Sequence, residues 1–400
     1  MKTELLNIDS LDKSQKEILK IGADKSSVSI MDKKALNIAF KVYDCKFYHA
    51  NLLKQEALTV GAECAIEKDT ITAKTLKSDC LILANMKQAY ILSAKLKNQS
   101  FKFLRELGVE LENQLQNLTK SDFIFRFNNN TIDLKNNIMV IGILNVTDDS
   151  FFDGGKYNSL DKALQQTEKM IEEGADIIDI GAESTRPGSL PLELDKELKR
   201  IIPVVKEVKK RFTIPISVDT YKSKVAQESI FEGADIINDI SGLTFDKNMA
   251  NVLSESKCGI IAMHIKGTPK NMQKNPQYEH LIYEINEFFK SILEKTDSFN
   301  IERNRVILDV GIGFGKTYDD NFKIIDNINS FKIHGRPILI GASRKSFIGA
   351  VLNESNPDKR LYGTVGVNVA SYLKGARIFR VHDVKANKEA LLMAKSINNS

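Results

Sequence analysis

Scarcity sets the first limits on this 400-residue chain. Its four cysteines, Cys45, Cys64, Cys80 and Cys258, show no CxxC spacing. Buried free thiols in a reducing cytoplasm are therefore expected, rather than a disulfide framework or a cysteine metal site. No apolar run approaches the roughly 18–20 residues of a membrane span. The opening Met1-Lys2-Thr3-Glu4-Leu5 also lacks the apolar core of a secretory signal. The expectation is a cytoplasmic protein with no membrane partner. Concentrated charge is missing too: the formal net charge is +5, with Lys and Arg spread along the chain. That balance suits small anionic substrates better than nucleic acid, which calls for a basic stripe with a reading motif. Proline is scarce in one region above all. None of the eight precedes Pro187, and the last is Pro357.

What is present describes a globular protein: 42% hydrophobic residues with 27% charged. The length favours two domains, or one large barrel with an addition. The proline boundary and the motif positions divide the chain into residues 1–120 and 121–400. The first part reads as a small α/β domain. Ser10 is placed to cap a helix over Leu11–Ile21, Ile38–Val42 reads as a strand, and Ala50–Gly61 reads as a helix leading to a strand at Cys64–Ile66. A strand at Cys80–Ala84 and helices over Lys87–Lys97 and Phe101–Leu118 follow. No phosphate loop, metal cluster or nucleophile–base pair occurs in it. Packing or oligomerisation, a homodimer included, is its expected role.

Beyond a predicted hairpin (Phe123–Phe127, Thr131–Leu134), short apolar runs alternate with amphipathic stretches. One phrase recurs: Glu173-Gly174-Ala175-Asp176-Ile177-Ile178, Glu232-Gly233-Ala234-Asp235-Ile236-Ile237, and Gly375-Ala376-Arg377-Ile378-Phe379. In each copy a Gly ends a helix and a strand follows. Eight strands are predicted: Met139–Leu144, Ile177–Ile180, Ile214–Val218, Ile236–Asn238, Gly259–Met263, Val306–Leu308, Ile338–Ile340 and Ile378–Val381. Between the first two, Leu160, Ala163, Leu164, Thr167 and Ile171 form a helical stripe. The fold class is α/β, a (β/α)8 TIM barrel with a smaller N-terminal α/β domain. A doubly wound open sheet is disfavoured because the first strand–helix turn has no GxGxxG.

A barrel of this kind puts its chemistry where the strands end. The predicted exits carry Asn145, Thr185 and Arg186, Asp219, Asn238 and Asp239, His264, Asp309, Ser343 to Lys345, then Arg380 and His382. Polar or charged groups at nearly every exit suit a flat, hydrogen-bonding heterocycle plus an anion. Asp309 can accept two adjacent N–H donors, Asn238 can satisfy a mixed edge, and Lys345 can donate to a carbonyl. Gly311-Ile312-Gly313-Phe314-Gly315-Lys316 is not a Walker A loop, since Val310 stands where Gly is required. His264 and His382, on separate strands with no clear third ligand, make weak evidence for zinc.

Several strings here resemble dihydropteroate synthase, the folate-pathway family that joins a pterin to para-aminobenzoate. They are Asn145-Val146-Thr147-Asp148-Asp149-Ser150-Phe151-Phe152-Asp153-Gly154-Gly155, Gly181-Ala182-Glu183-Ser184-Thr185-Arg186-Pro187-Gly188-Ser189, Ser217-Val218-Asp219-Thr220, Met263-His264, Gly313-Phe314-Gly315-Lys316 and Ser343-Arg344-Lys345-Ser346, with Arg380-Val381-His382-Asp383 last. The likeness covers about residues 122–400. It implies condensation of 6-hydroxymethyl-7,8-dihydropterin diphosphate with para-aminobenzoate to give dihydropteroate and pyrophosphate. It further implies that Asp219, Asn238, Asp309 and Lys345 hold the pterin, with Met263 lining its pocket. Thr185, Arg380 and His382 would handle the diphosphate, with Ser343 among the substrate-binding residues and Asn145 acting through a bound Mg2+. Arg186, Phe314 and Ser346 would surround the aminobenzoate. Asp219, Lys345, Arg380 and His382 would be the catalytic group, and the loops at 146–155 and 184–190 would close over the site. Asp148 stands where the family usually has Pro, Val310 where Pro is common, and Lys266 where Gln is common. A pterin-binding methyltransferase shares the barrel but would have little use for the Arg/His diphosphate cradle.

Overall fold

The computed structural model describes residues 2–120, 123–135, 137–146, 156–184 and 188–399. The chain divides into two compact units, residues 1–120 and 121–400.

In the first unit, β1 (Asn37–Lys46), β2 (Glu63–Ile66) and β3 (Lys77–Asn85) form an antiparallel sheet in the order β1-β3-β2. The side chains of β3 alternate between exposed and buried, as a sheet covered on one face requires. Its buried face carries Cys80 and Ile82 against α3 (Phe47–Thr59), α4 (Met86–Lys97) and α5 (Lys102–Leu118). The N-terminal helix α1 (Leu11–Lys20) is capped by Ser10, whose hydroxyl accepts from the Lys13 N–H at 3.2 Å. A second helix, α2 (Lys25–Met31), was not expected from the sequence. It buries only Val28 and dilutes its apolar positions with three serines. All four cysteines are free and buried.

The second unit opens with a hairpin, β4 (Ile124–Phe127) and β5 (Asn130–Asp133). Eight parallel strands then close a barrel among the described residues: β6 (Met139–Asn145), β7 (Ile177–Gly181), β8 (Ile216–Asp219), β9 (Ile236–Asp239), β10 (Gly259–Met263), β11 (Val306–Asp309), β12 (Ile338–Ile340) and β13 (Ile378–Val381). Neighbours pair in chain order and β13 returns to β6. Helices α6 (Lys156–Glu172), α7 (Leu194–Arg211), α8 (Ser223–Phe231), α9 (Met249–Ser254), α10 (Leu281–Ser298), α11 (Tyr318–Asp326), α12 (Ser346–Leu352), α13 (Leu361–Leu373) and α14 (Val384–Asn399) accompany them. The α6 stripe is nearly as expected, except that Met170 rather than Ile171 is fully buried.

The recurring Gly-Ala phrase has a physical reason. Gly174, Gly233 and Gly375 take φ of +92°, +105° and +110°, where a side chain would be strained. Each turns its chain from a helix end into the next strand. In the first two copies the Asp then anchors a neighbouring strand. Asp176 accepts from the Val140 N–H at 2.7 Å, and Asp235 accepts from the Ile216 N–H at 3.0 Å.

Strand alternation divides the barrel interior into two levels. Low down, Met139, Ile141, Ile177, Ile236, Ile261, Ile307, Leu339 and Ile378 pack with Phe125 and Phe127 of the hairpin. A Cβ on Gly259 would meet the Phe125 ring at 2.5 Å, so β10 needs glycine where the aromatic plug enters. Two residues further along the inward faces lie Asp179, Asp219, Asn238, Met263, Asp309 and Arg380. The apolar floor thus ends where the polar mouth begins.

Candidate active site

The centre of the mouth is an ion-paired trio. Arg380, at the end of β13, donates from Nε to Asp179 Oδ2 at 2.6 Å and from Nη2 to Asp219 Oδ2 at 2.9 Å. Asn238, buried on β9, donates from Nδ2 to the same Asp179 oxygen at 3.1 Å. Burial pushes the Asp219 carboxyl up to about 7, against the pull of Arg380 and with the help of Asp179, Glu197 and Asp239. The two carboxylates hold Arg380 charged, above its ordinary range, in spite of burial. Asp179 was missed by sequence reasoning because it sits inside the apolar run Ile177–Ile180. The signal available was alternation: Ile177 faces inward, so Asp179 must too.

Asp179 also leaves something unfinished. Its side chain is 0% exposed, and its Oδ1 has no hydrogen-bond partner. The hydroxyl of Ser217, paired beside Asp179 in the β7–β8 register, is likewise buried and unpartnered. Buried polar atoms are normally satisfied, so these two are open to a ligand or a water, Asp179 as an acceptor and Ser217 as donor or acceptor.

On the opposite wall Asp309 closes β11. Its Oδ1 accepts from the Gly311 N–H at 2.7 Å, and burial raises its carboxyl above the usual range. Lys345 extends its ammonium over the Phe314 ring at 4.4 Å and donates to the Ile312 carbonyl. Burial lowers Lys345 to about 7, and Arg380 adds to that, while Asp309 and Asp219 oppose it. Asp309, too, is drawn back toward its usual range by Lys345 and Arg380. Met263 and Phe314 belong to an apolar cluster with Ile240, Ile265, Met272 and Tyr221.

The loop bearing Asp309 and Phe314 is clamped to the exit of β10. Gly311 (φ +64°) lies so close that a Cβ would come within 1.9 Å of the His264 carbonyl oxygen. Lys316, fully buried, bonds to His264 Nδ1 at 2.9 Å and to the carbonyls of His264 and Phe314. His264 is held well below its normal pKa, first by burial and then by Lys316 and Lys266. With Nδ1 engaged, His264 is a structural residue, although its place at a strand exit had suggested a site role. Lys266 reaches Glu284 at 3.2 Å and lies over the Tyr278 ring.

Ser343 and His382 meet at the β12 and β13 exits. Ser343 Oγ lies 3.0 Å from His382 Nδ1 and accepts from the His382 backbone N–H at 3.2 Å. Arg344 holds a left-handed φ of +61°. It grips Asp383 from Nε and Nη2 at 3.0 and 2.7 Å, and it also binds Asp358. That fork ties the two exits together and aims Lys345 inward. Ser346, exposed, begins α12. Asn145 is exposed at the end of β6 and shares a cavity with His382. Thr185, Arg186 and Asp148 lie outside the described residues, as does most of the first closing loop.

The structure therefore brings Asp219 and Arg380 into direct contact and joins Asn238 to them through the shared Asp179 carboxylate. Asp309, Lys345, Phe314 and Met263 stand around the same mouth, and Asn145, Ser343 and His382 lie at its rim. Among the described residues no cluster of three His, Cys, Asp or Glu side chains could cage a metal. A lone amide oxygen at a strand exit nevertheless fits magnesium, which keeps waters and binds through few protein ligands plus phosphate oxygens.

A family model described as "Pterin binding enzyme" matches residues 141–382. The dihydropteroate synthase of Synechocystis sp. is 42% identical over 258 residues, covering 64% of this chain and 89% of that protein. The crystal structure of Yersinia pestis dihydropteroate synthase in a sulfonamide complex superposes with a TM-score of 0.65 at 40% identity, over 69% of this chain and all of that one. The Clostridium difficile enzyme, solved in the presence of pteroic acid, gives 0.62 at 43% identity, over 66% of this chain and 98% of that one.

Proposed function

We propose, from the fact that this chain belongs to the dihydropteroate synthase family of pterin-binding enzymes, that its barrel condenses 6-hydroxymethyl-7,8-dihydropterin diphosphate with para-aminobenzoate. The products are 7,8-dihydropteroate and pyrophosphate. The observation that carries this reading is the mouth itself: three carboxylates, Arg380 and Lys345 converge there beside a buried acceptor that has no partner. A planar amino-pyrimidinone edge offers what that mouth lacks. Its adjacent N–H donors suit Asp309, and its carbonyl suits Lys345. Buried charges are costly unless complemented, so such a ligand recovers part of the desolvation cost.

The chemistry is a displacement at the pterin methylene. The C–O bond to the diphosphate breaks, the electron-rich ring delocalises the positive charge, and the arylamine nitrogen forms the new C–N bond and loses a proton. Asp219 and Asp309 favour the cationic ring, while Arg380 and His382 donate to the departing diphosphate. Arg380 spends two of its five N–H donors on Asp179 and Asp219, which fixes the guanidinium plane. No strong base is required, because a neutral arylamine is already nucleophilic. Phe314 and Ser346 flank the aminobenzoate, with Thr185 and Arg186 assigned from the family motif. Bound magnesium would supply further positive charge at the diphosphate oxygens, and Asn145 is the group that would hold it. Magnesium dependence, a cytoplasmic location, a homodimer and inhibition by sulfonamides belong to the same proposal.

The test is to incubate purified protein with Mg2+, the pterin diphosphate and para-aminobenzoate, and to follow pyrophosphate. Release that depends on both organic substrates supports the reading. Release from the diphosphate alone, or none, refutes it.

A further inference from the structure

One network of ionised side chains beside the mouth takes no part in the chemistry above. It joins the exits of β7 and β8 to the first turn of α7. Lys222, three residues past the end of β8, reaches Glu183 Oε2 at 2.5 Å and donates to Glu197 Oε2. Glu183 follows β7 by two residues and its side chain is 8% exposed, while that of Glu197, in α7, is 1% exposed. Tyr221 donates its hydroxyl to Glu183 Oε1 at 2.8 Å, and Thr220 donates to Glu197 Oε1 at 2.7 Å. Every carboxylate oxygen of the pair is thus met by a donor. Burial pushes the Glu197 carboxyl up, and Lys222 and Thr220 pull against it. A single ammonium serves both acids, so losing it strands two buried carboxylates at once.

Both ends of the network lead to residues assigned to para-aminobenzoate. The Tyr221 ring lies beneath the Lys222 ammonium at 4.7 Å and packs on the apolar cluster that also carries Phe314. Holding the Tyr221 hydroxyl on Glu183 therefore sets the place of that ring. Glu183 also immediately precedes Ser184-Thr185-Arg186-Pro187 in the chain. Beyond that segment the Gly188 N–H donates to the Pro269 carbonyl at 3.0 Å, a second anchor.

We propose that Lys222 is a positioning residue for the arylamine substrate: by holding Glu183 it sets both the Tyr221 ring and the start of the segment bearing Arg186. The inference rests on the reading above, which gives Phe314 and Arg186 their substrate. Lys222 acts through its neighbours, with its ammonium committed to the two carboxylates.

The test compares the kinetics of K222Q, K222R and Y221F with those of K209Q. Lys209 pairs at 2.8 Å with Asp235, 5% exposed, just before β9 begins, so K209Q breaks a similar ion pair at the opposite end of the barrel. K222Q should raise KM for para-aminobenzoate about tenfold or more, the size of one lost charge-assisted hydrogen bond. Over the same change kcat and KM for the pterin diphosphate should move by less than about threefold. K222R, still a cation with donors for two carboxylates, should recover most of the loss. Y221F removes only the hydroxyl bond and should raise KM for para-aminobenzoate about two- to tenfold. A second readout needs no turnover. Glutamyl endopeptidase can cut after Glu183 only once that side chain leaves its partners, so the Glu183–Ser184 bond should be cleaved at least about fivefold faster in K222Q than in the parent or K209Q. An unchanged KM for para-aminobenzoate in K222Q or in Y221F, or an equal rise in K209Q, overturns the proposal, as does unaltered cleavage after Glu183. A parent chain that makes no dihydropteroate overturns the reaction, while the cleavage still reports whether Lys222 holds Glu183.

Discussion

Asp179→Asn is the substitution that probes the mouth most finely, because it keeps shape and removes one charge. Asp179 is 0% exposed and takes two donors on a single oxygen, Arg380 Nε at 2.6 Å and Asn238 Nδ2 at 3.1 Å. An amide can still accept through its oxygen, yet its own N–H2 must then face space previously shared with donors. Breaking a buried pair outright costs about 3–5 kcal/mol. Here Arg380 keeps Asp219 at 2.9 Å, so the loss should approach that of one charge-assisted hydrogen bond, about 1.5–3 kcal/mol. At roughly 2–4 °C per kcal/mol for a domain of this size, Tm should fall by about 3–12 °C. A double-mutant cycle with Arg380→Gln isolates the pair, and its coupling should exceed about 1 kcal/mol. Calorimetric titration with a pterin should show weaker binding in the same variant, since the orphaned Oδ1 is offered to the ligand. A Tm within 1 °C of the parent, with no coupling to Arg380, would refute the reasoning.

Three further expectations follow from the same contacts. Because Asp219 is raised to about 7, it is protonated below that pH and ionised above it. The value of kcat/KM for the pterin diphosphate should therefore fall as pH drops below about 7, and Asp219→Asn should lose that acid limb; an unchanged profile between pH 5 and 8 would count against the assignment. Lys345→Ala should cost about 2–4 kcal/mol of transition-state stabilisation, by analogy with a single oxyanion donor, and near-normal turnover would remove Lys345 from the mechanism. Gly311→Ala, whose Cβ would sit 1.9 Å from the His264 carbonyl oxygen at φ +64°, should destabilise by about 3–5 kcal/mol. Gly366→Ala, where a Cβ meets nothing within 4 Å, serves as its control, and equal melting temperatures would contradict the clamp.

Much of the barrel could be read from the chain because parallel strands buried on both faces appear as short apolar runs. The runs from Met139 to Leu144 and from Gly259 to Met263 are plain examples, and the polar residues ending such runs mark the mouth. Other features left no local signature. Asp179 was hidden by its apolar neighbours. β1 runs on to Lys46 because the ladder slips between Val42 and Cys45, with Asp44 at φ +54°, and a bulge of that kind depends on pairing with β3. His264 resembled a site residue until Lys316, 52 positions away, was seen to occupy its ring nitrogen. The left-handed Arg344 is likewise set by Asp383 and Asp358, which no spacing rule connects to it.

The most direct measurement is a crystal structure of the protein with pteroic acid. The account predicts the pterin ring at the barrel mouth, its amino-pyrimidinone edge within hydrogen-bond distance of Asp309 and Lys345, a donor reaching Asp179 or Ser217, and the benzoate end running toward Ser346. Pteroic acid found away from the β-strand exits, with Asp179 Oδ1 still unpartnered beneath an empty mouth, would contradict it.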